Sequence, residues 1–387
     1  MRRALRDNRV VPVLALSLLV RLPTLGAQRT VAPTAPARDE APPRIADSAF
    51  AATVVRLSEP PGFFDTDNLI SNESSYLHVL PRLRALGVRG GAYLGVGPDQ
   101  NYSYIAAIRP RVAYILDVRR DNLLQHLMFK SLFAQASNRM EFLCLWLGRT
   151  PPARVDQWND RSIADIVRYV DNAPRDEALA RRVQGAIVRD AMATGVPLRD
   201  GDRAILARFH GEFVREGLEL RFTSYGRAPR ASYPTLRDLV LARDTEQRQG
   251  SYLVREDDWR FVKSMHAANR IIPAVGSLGG PRALAAIARD LAEARESVSA
   301  FYTSNVEFYL WGDGSFERFA RNVAALPRDS HSVIIRSYFG RQFGDAHPLA
   351  VAGFGSVQLL QPLSDFVARW RGGGWESYRA LVNEGAR

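Results

Sequence analysis

Cysteine is almost absent from this 387-residue chain, where Cys144 stands alone. One thiol permits no internal disulfide and no cysteine-based metal cage. Its place in the apolar run Phe142-Leu143-Cys144-Leu145-Trp146-Leu147 reads as that of a small buried apolar side chain. Lysine is nearly as scarce, being confined to Lys130 and Lys263. The formal charge of +11 and the pI near 10.1 therefore rest on arginine. Because arginine is spread along the whole chain, with no basic run interleaved with aromatics, the bias reads as compositional and no specific nucleic-acid partner is expected. The six histidines are scattered, none at the i, i+4 spacing of a helical zinc site, so no metal is expected. The sequence also lacks GxSxG, GxxxxGK[ST], HExxH and CxxC, which removes most support for hydrolase, P-loop and zinc-enzyme chemistry.

With 46% hydrophobic residues, the chain can bury a large core in one big domain or two smaller ones. Arg2, Arg3, Arg6 and Arg9 precede the apolar run Val10 to Val20, followed by Pro23 and Gly26-Ala27. That order predicts a signal peptide or N-terminal anchor over 1–27, and a periplasmic or secreted protein when it is used, a cytoplasmic one otherwise. No cysteine follows, which excludes a lipid-modified anchor, and no membrane span is expected beyond this segment. Residues 28–50 are rich in Pro and Ala and read as a disordered linker, so the folded part is expected over 51–387.

Asn68 to Leu86 holds the motif Ile70-Ser71-Asn72-Glu73 and then predicts a helix, with Leu77, Leu80, Leu83 and Leu86 near helical spacing, Ser71 or Asn72 as its N-cap, and a kink or split at Pro81. An apolar run, Ala92 to Val96, then flows into the turn Gly95-Val96-Gly97-Pro98-Asp99-Gln100-Asn101. A helix over Gln100–Ile108 and a second strand over Val112–Val118 follow, the latter containing Asp117. A connection of one crossover helix implies parallel strands. Asp121 to Ala136 predicts an amphipathic helix. From about 150 to 250 the pattern turns mainly helical, a block that reads as an insertion capping a ligand crevice. Strands opening at Ile271, Val298 and Ser332 alternate with helices, and Val357 to Leu360 reads as an edge strand. The expected fold is α/β, a doubly wound and mostly parallel sheet.

Ligands in such sheets bind at the carboxyl ends of the strands. Gly95 and Gly97 allow close backbone approach, with Asp99 and Asn101 in the same turn. Asn101 and Tyr102 stand where later glycines of GxGxxG belong, so a single adenosyl group is favoured over a dinucleotide. Asp117 is placed to accept hydrogen bonds from a ribose diol. Ser304-Asn305-Val306-Glu307 ends the fourth strand, Asn305 as an orienting group and Glu307 as base or orienting acid. Asn72 and Glu73 read as an edge of the same crevice. Arg119-Arg120 is expected to be a solvated pair.

The blocks Ile70 to Val79, Gly90 to Tyr104, Arg109 to Phe133 and Phe301 to Leu310 resemble an uncharacterised bacterial family with a fold like class I S-adenosylmethionine-dependent methyltransferases. The resemblance covers roughly Ser58 to Phe339. It implies a methyltransferase-like sheet and S-adenosylmethionine as cofactor. It puts Gly95 and Gly97 on the glycine loop, Asp117 on the ribose-binding acid, and Ser304 to Glu307 on the loop after strand four. Asn72, Glu73 and Ser304 would meet a small-molecule acceptor, while Asn305 and Glu307 would orient it. Tyr93-Leu94 stands where an acidic residue usually precedes the loop, and Ser-Asn-Val-Glu replaces the Asn/Asp-Pro-Pro-Tyr of amino-group methyltransferases. The alternative is an exported, non-catalytic ligand-binding protein that keeps the fold.

Overall fold

Short runs of aliphatic and aromatic residues form six strands, and nearly every position in most of them is buried: β1 Ala92–Gly95, β2 Val112–Asp117, β3 Ile271–Val275, β4 Val298–Ser304, β5 Arg328–Tyr338 and β6 Val357–Pro362. Continuous apolar runs of this kind suit a sheet covered on both faces. In the computed structural model, which describes residues 43–66, 68–227, 230, 232–340 and 347–384, the sheet order is β3-β2-β1-β4-β5-β6. The first five strands pair in parallel, and β6 runs antiparallel to β5. The fold is therefore α/β around a mixed, mostly parallel sheet. Pro273 lies in β3, an edge strand with one neighbour, where a missing N–H is tolerated. The expected segment 1–27 and most of the expected linker lie outside the described residues.

The helices follow the chain closely. α1 (Asp47–Leu57) buries Phe50, Val54 and Leu57, so the folded part starts before Ala51 and the end of the expected linker is helical. α2 is only Leu80–Ala85, preceded by turns from Ser74 to Val79. Pro81 sits in its first turn, where an absent N–H leaves no bond unmade. The helix expected to start at Ser71 or Asn72 is thus shortened, and Ser71 is no N-cap: its hydroxyl accepts from the Glu73 N–H at 3.1 Å. α3 is Gln100–Ile108 and α4 is Arg120–Gln135.

α4 was expected to bury one face. It also buries Asn122, Gln125, His126 and Ser131. The reason is the block that follows: α5 (Arg139–Trp146), α6 (Ile163–Asn172), α7 (Glu177–Ala193), α8 (Asp202–Glu216), α9 (Leu236–Val240) and α10 (Glu256–Ala267). α5, α7, α8 and α10 all pack on α4. The inserted helices therefore extend the core more than they cap the crevice. Cys144 is buried in α5, which starts at Asn138, whose side chain accepts from the Glu141 N–H. The chain then returns to the sheet with α11 (Ala283–Glu293), α12 (Val306–Gly312), α13 (Phe316–Ala325), α14 (Leu363–Arg371) and α15 (Tyr378–Glu384). Among the described residues, no helix is long and apolar enough to cross a membrane.

Candidate functional site

From β1 the chain winds outward through β2 to β3, then returns to β4 on the other side of β1. In a parallel sheet such a reversal opens a crevice at the carboxyl ends of the strands, since the flanking connections leave in opposite directions. A cavity of about 930 Å³ lies there, lined from the ends of β1, β2, β3 and β4. That volume falls within the usual range for small-molecule sites. A strap before the sheet closes one side. The Glu59 N–H bonds the Val275 carbonyl at 2.7 Å, the Gly62 N–H bonds the Val118 carbonyl at 2.9 Å, and the strap carries Phe63 and Phe64 into the lining. The opposing loop contributes Phe222, Ser224, Arg227, Arg230, Ser232 and Tyr233. This loop is the part of the inserted block that reaches the crevice. It meets the strap through the Tyr225 N–H on the Asp65 carbonyl at 2.8 Å.

The glycine turn is held from behind. Asn101 is fully buried, and its Nδ2 donates to the carbonyls of Val96, Gly97 and Pro98 while its Oδ1 accepts from the Tyr93 hydroxyl at 2.8 Å. His126 adds a second brace. Its Nε2 lies 3.0 Å from the Gly97 carbonyl and its Nδ1 2.7 Å from the Tyr102 hydroxyl. A carbonyl only accepts, so Nε2 carries the proton and Nδ1 takes the tyrosine O–H. Burial pushes this imidazole down to about 4, which keeps it neutral. Gly95 has no room for a side chain, because a Cβ there would lie 2.0 Å from Asn101 Oδ1. Gly97, at φ +80°, lines the cavity.

Of the four turn residues expected to touch a cofactor, Gly97 alone lines the cavity, while Gly95 and Asn101 shape the turn from behind. Asp99 is also behind it, accepting from the Tyr252 hydroxyl at 3.3 Å, and burial pushes its carboxyl up to about 7.

Asp117 lines the cavity at the end of β2. Arg119 wraps it: the backbone N–H and Nε bond Oδ1 at 2.9 and 3.1 Å, and Nη2 bonds Oδ2 at 2.9 Å. Arg119 is 6% exposed and Arg120 pairs with Asp202 of α8, so the pair is not solvated as expected. A carboxylate has about four acceptor positions, and three are filled, leaving one on Oδ2.

The floor is built around Glu73. It is 1% exposed, lines the cavity, and accepts from the Tyr302 hydroxyl at 2.6 Å, Gln358 Nε2 at 2.9 Å and the Ser304 hydroxyl. Ser304 reaches it from the left-handed region, at φ +54°, a conformation that costs a non-glycine residue of order 1 kcal/mol and clusters at functional sites. Gln100 Nε2 bonds the Tyr302 hydroxyl at 3.3 Å, while Gln100 Oε1 is buried without a partner. Asn72 and Asn305 are half-buried in the lining, and Asn305 leads into α12.

Glu307 is placed differently from the expectation that it orients a ligand. It is fully buried in α12, clamped by Arg336 of β5, and absent from the lining. In a helix starting at Val306, Glu307 is carried away from the crevice that Asn305 faces.

Sequence reasoning missed Phe63, Phe64, Gln100, Tyr302, His126 and Gln358. The first two sit in an unpatterned segment, and the others act through partners distant in sequence. Among the described residues, no group of His, Cys, Asp or Glu is arranged to hold a metal ion.

The chain matches a family described as "Domain of unknown function (DUF7790)" over residues 69–157 and 201–383, and it belongs to that family. The match leaves out residues 158–200, which carry α6 and α7, and includes Glu73, Gly97, Asp117, Tyr302 and Ser304. No curated protein matches the chain.

Proposed function

We propose that the protein is a methyltransferase-like protein that binds S-adenosylmethionine in the cavity at the carboxyl ends of β1, β2 and β4. The observation that carries this reading is the juxtaposition of Gly97 and Asp117 on one cavity wall, where the strand order reverses. A glycine turn after the first strand and an acid at the end of the second are what an adenosyl group needs: a close backbone approach and an acceptor for ribose hydroxyls. The free acceptor position on Asp117 Oδ2 takes one hydroxyl. The order β3-β2-β1-β4-β5 with helical connections supports a doubly wound, methyltransferase-like topology.

Transfer would break the bond from methyl carbon to sulfonium sulfur, leave its electron pair on sulfur, and form a bond from the acceptor's lone pair to that carbon. Alignment supplies most of the acceleration in such a step. Asn72, Ser304 and Asn305 stand on the wall where an acceptor would be oriented.

One observation favours the alternative, a non-catalytic protein that keeps the fold and binds some other ligand in this cavity. Arg336 holds Glu307 outside the cavity lining, and Arg119 fills three of the acceptor positions of Asp117, so neither carboxylate stands open to an acceptor molecule as a base would. Export through the N-terminal segment would agree with that role, because S-adenosylmethionine is made inside the cell. Isothermal titration with S-adenosylmethionine and S-adenosylhomocysteine tests the binding step. Heat with a saturable isotherm is expected, and no heat at millimolar ligand would sink the adenosyl reading. Product analysis with a methyl-labelled donor and an acceptor panel separates transfer from binding alone. Following a tagged full-length chain between cell fractions tests export.

A further inference from the structure

A carboxylate buried without a cation is costly, because neutral donors replace only part of the hydration it loses. Asp65 and Asp117, both in the lining, have arginine partners, Arg227 and Arg119, and Glu307 behind it has Arg336. Glu73 differs. Its three donors, Tyr302, Ser304 and Gln358, are all neutral, and among the described residues no Arg, Lys or His forms an ion pair with it. Next to it, through the shared Tyr302 hydroxyl, Gln100 presents a buried amide oxygen that receives no hydrogen bond. The unused capacity of this floor is therefore acceptor capacity beside a negative charge. The same cavity lining includes aromatic rings, with Phe64 edge-on to Tyr309 at 5.0 Å and Phe308 beside it in α12. Ring faces attract cations.

We propose that the cavity takes a ligand bearing a protonated amine, whose N–H groups are received by the Glu73 carboxylate and the Gln100 amide oxygen. The proposal rests on this cavity being the ligand site, and it holds for an ammonium on a bound adenosyl cofactor or on an acceptor molecule. The ligand supplies the charge that the fold leaves out at Glu73. A carboxylate or phosphate ligand at this floor would meet the like charge of Glu73.

The test is titration calorimetry on the full chain with n-butylamine against 1-butanol, and with S-adenosylhomocysteine against 5′-methylthioadenosine, which has the adenosyl group but neither the aliphatic ammonium nor the carboxylate of the amino-acid end. At least one amine-bearing probe is expected to bind about tenfold or more tightly than its amine-free counterpart. That preference is expected to vanish in Glu73→Gln and to shrink in Gln100→Met, with folding of each checked by circular dichroism. Amine binding without binding of either adenosyl compound would uphold this proposal and defeat the adenosyl reading. Equal binding within both pairs, or binding of none of the four, would overturn it; in the first case the adenosyl reading survives. Butylamine binding undiminished by saturating S-adenosylhomocysteine assigns the ammonium to an acceptor. Mutual exclusion, with the homocysteine compound binding more tightly than methylthioadenosine, assigns it to the cofactor. Persistence of the preference in Glu73→Gln would remove Glu73 from its assigned role.

Discussion

Glu307 and Arg336 form a two-point ion pair in which neither side chain reaches water: Nε meets Oε2 at 2.6 Å and Nη2 meets Oε1 at 3.0 Å. Arg336 Nη1 also donates to Gln361 of β6 at 2.8 Å, so one guanidinium ties α12 to the β5–β6 edge of the sheet. Breaking a buried pair leaves an uncompensated charge, whereas replacing both partners removes the problem. Arg336→Met is expected to destabilise the protein by about 3–5 kcal/mol in urea denaturation. Adding Glu307→Leu is expected to recover most of that loss. If the double variant is no more stable than the single one, the pair is not the reason for the cost.

Asp99 sets a pH dependence whose sign can be worked out. Its carboxyl titrates near 7 in the folded protein against 3.8 when unfolded, because burial disfavours the charged form. Between those values the folded state holds more protons than the unfolded one, so this residue's contribution falls as pH rises. Each pH unit of separation corresponds to about 1.4 kcal/mol. Relative to wild type, Asp99→Asn is expected to gain stability from pH 4 to pH 8 by a few kcal/mol. Comparing the two proteins cancels the opposing contribution of His126, which titrates near 4 against 6.5 and stabilises as pH rises. A stability difference that stays flat from pH 4 to 8 would contradict this.

The strands were readable because each is a compact apolar run bounded by glycine, proline or charge, and all six appear where those runs lie. β5 is longer than its apolar part, since it starts at Arg328 and runs through the exposed Asp329 to His331, where its register with β4 shifts. α1 was hidden because Phe50, Val54 and Leu57 follow a Pro/Ala-rich stretch that dominates the local composition. The site was half readable. Gly97, Asp117, Ser304 and Asn305 sit at strand ends, and strand ends are visible in a sequence. What Glu73 and Glu307 do was not readable, because it depends on which partner faces each carboxylate. Tyr302 and Gln358 lie 229 and 285 residues from Glu73, and no spacing rule relates them.

The two glycines of the β1 turn are expected to fail differently. Alanine at Gly95 would press on Asn101 Oδ1 and on the Tyr93 ring at 2.8 Å, breaking the bonds that hold the turn. Gly95→Ala is expected to cost about 2–4 kcal/mol of stability. At Gly97 the nearest atom is Gln100 Nε2 at 3.2 Å, so the cost is mainly the left-handed backbone, about 1–2 kcal/mol. The new methyl group also enters the cavity, so Gly97→Ala is expected to weaken ligand binding out of proportion to its effect on stability. Thermal unfolding and titration on the same samples check the contrast. Parallel losses of binding and stability in both variants would refute it.

Phe63 is a large apolar side chain that is 80% exposed, yet it stands on the cavity lining. The strap around it is fixed by backbone bonds, so its side chain contributes little to folding. An exposed aromatic at a cavity rim gains its packing when a ligand arrives. Phe63→Ser is expected to leave stability within about 0.5 kcal/mol of wild type. Ligand affinity is expected to fall about fivefold, the effect of losing one aromatic contact worth about 1 kcal/mol. Phe64→Ser is expected to act on both, because Phe64 already packs against Tyr309 in the free protein. Urea denaturation paired with titration of the best-binding probe distinguishes the two residues. A Phe63 variant that binds as tightly as wild type would leave its exposure unrelated to the cavity.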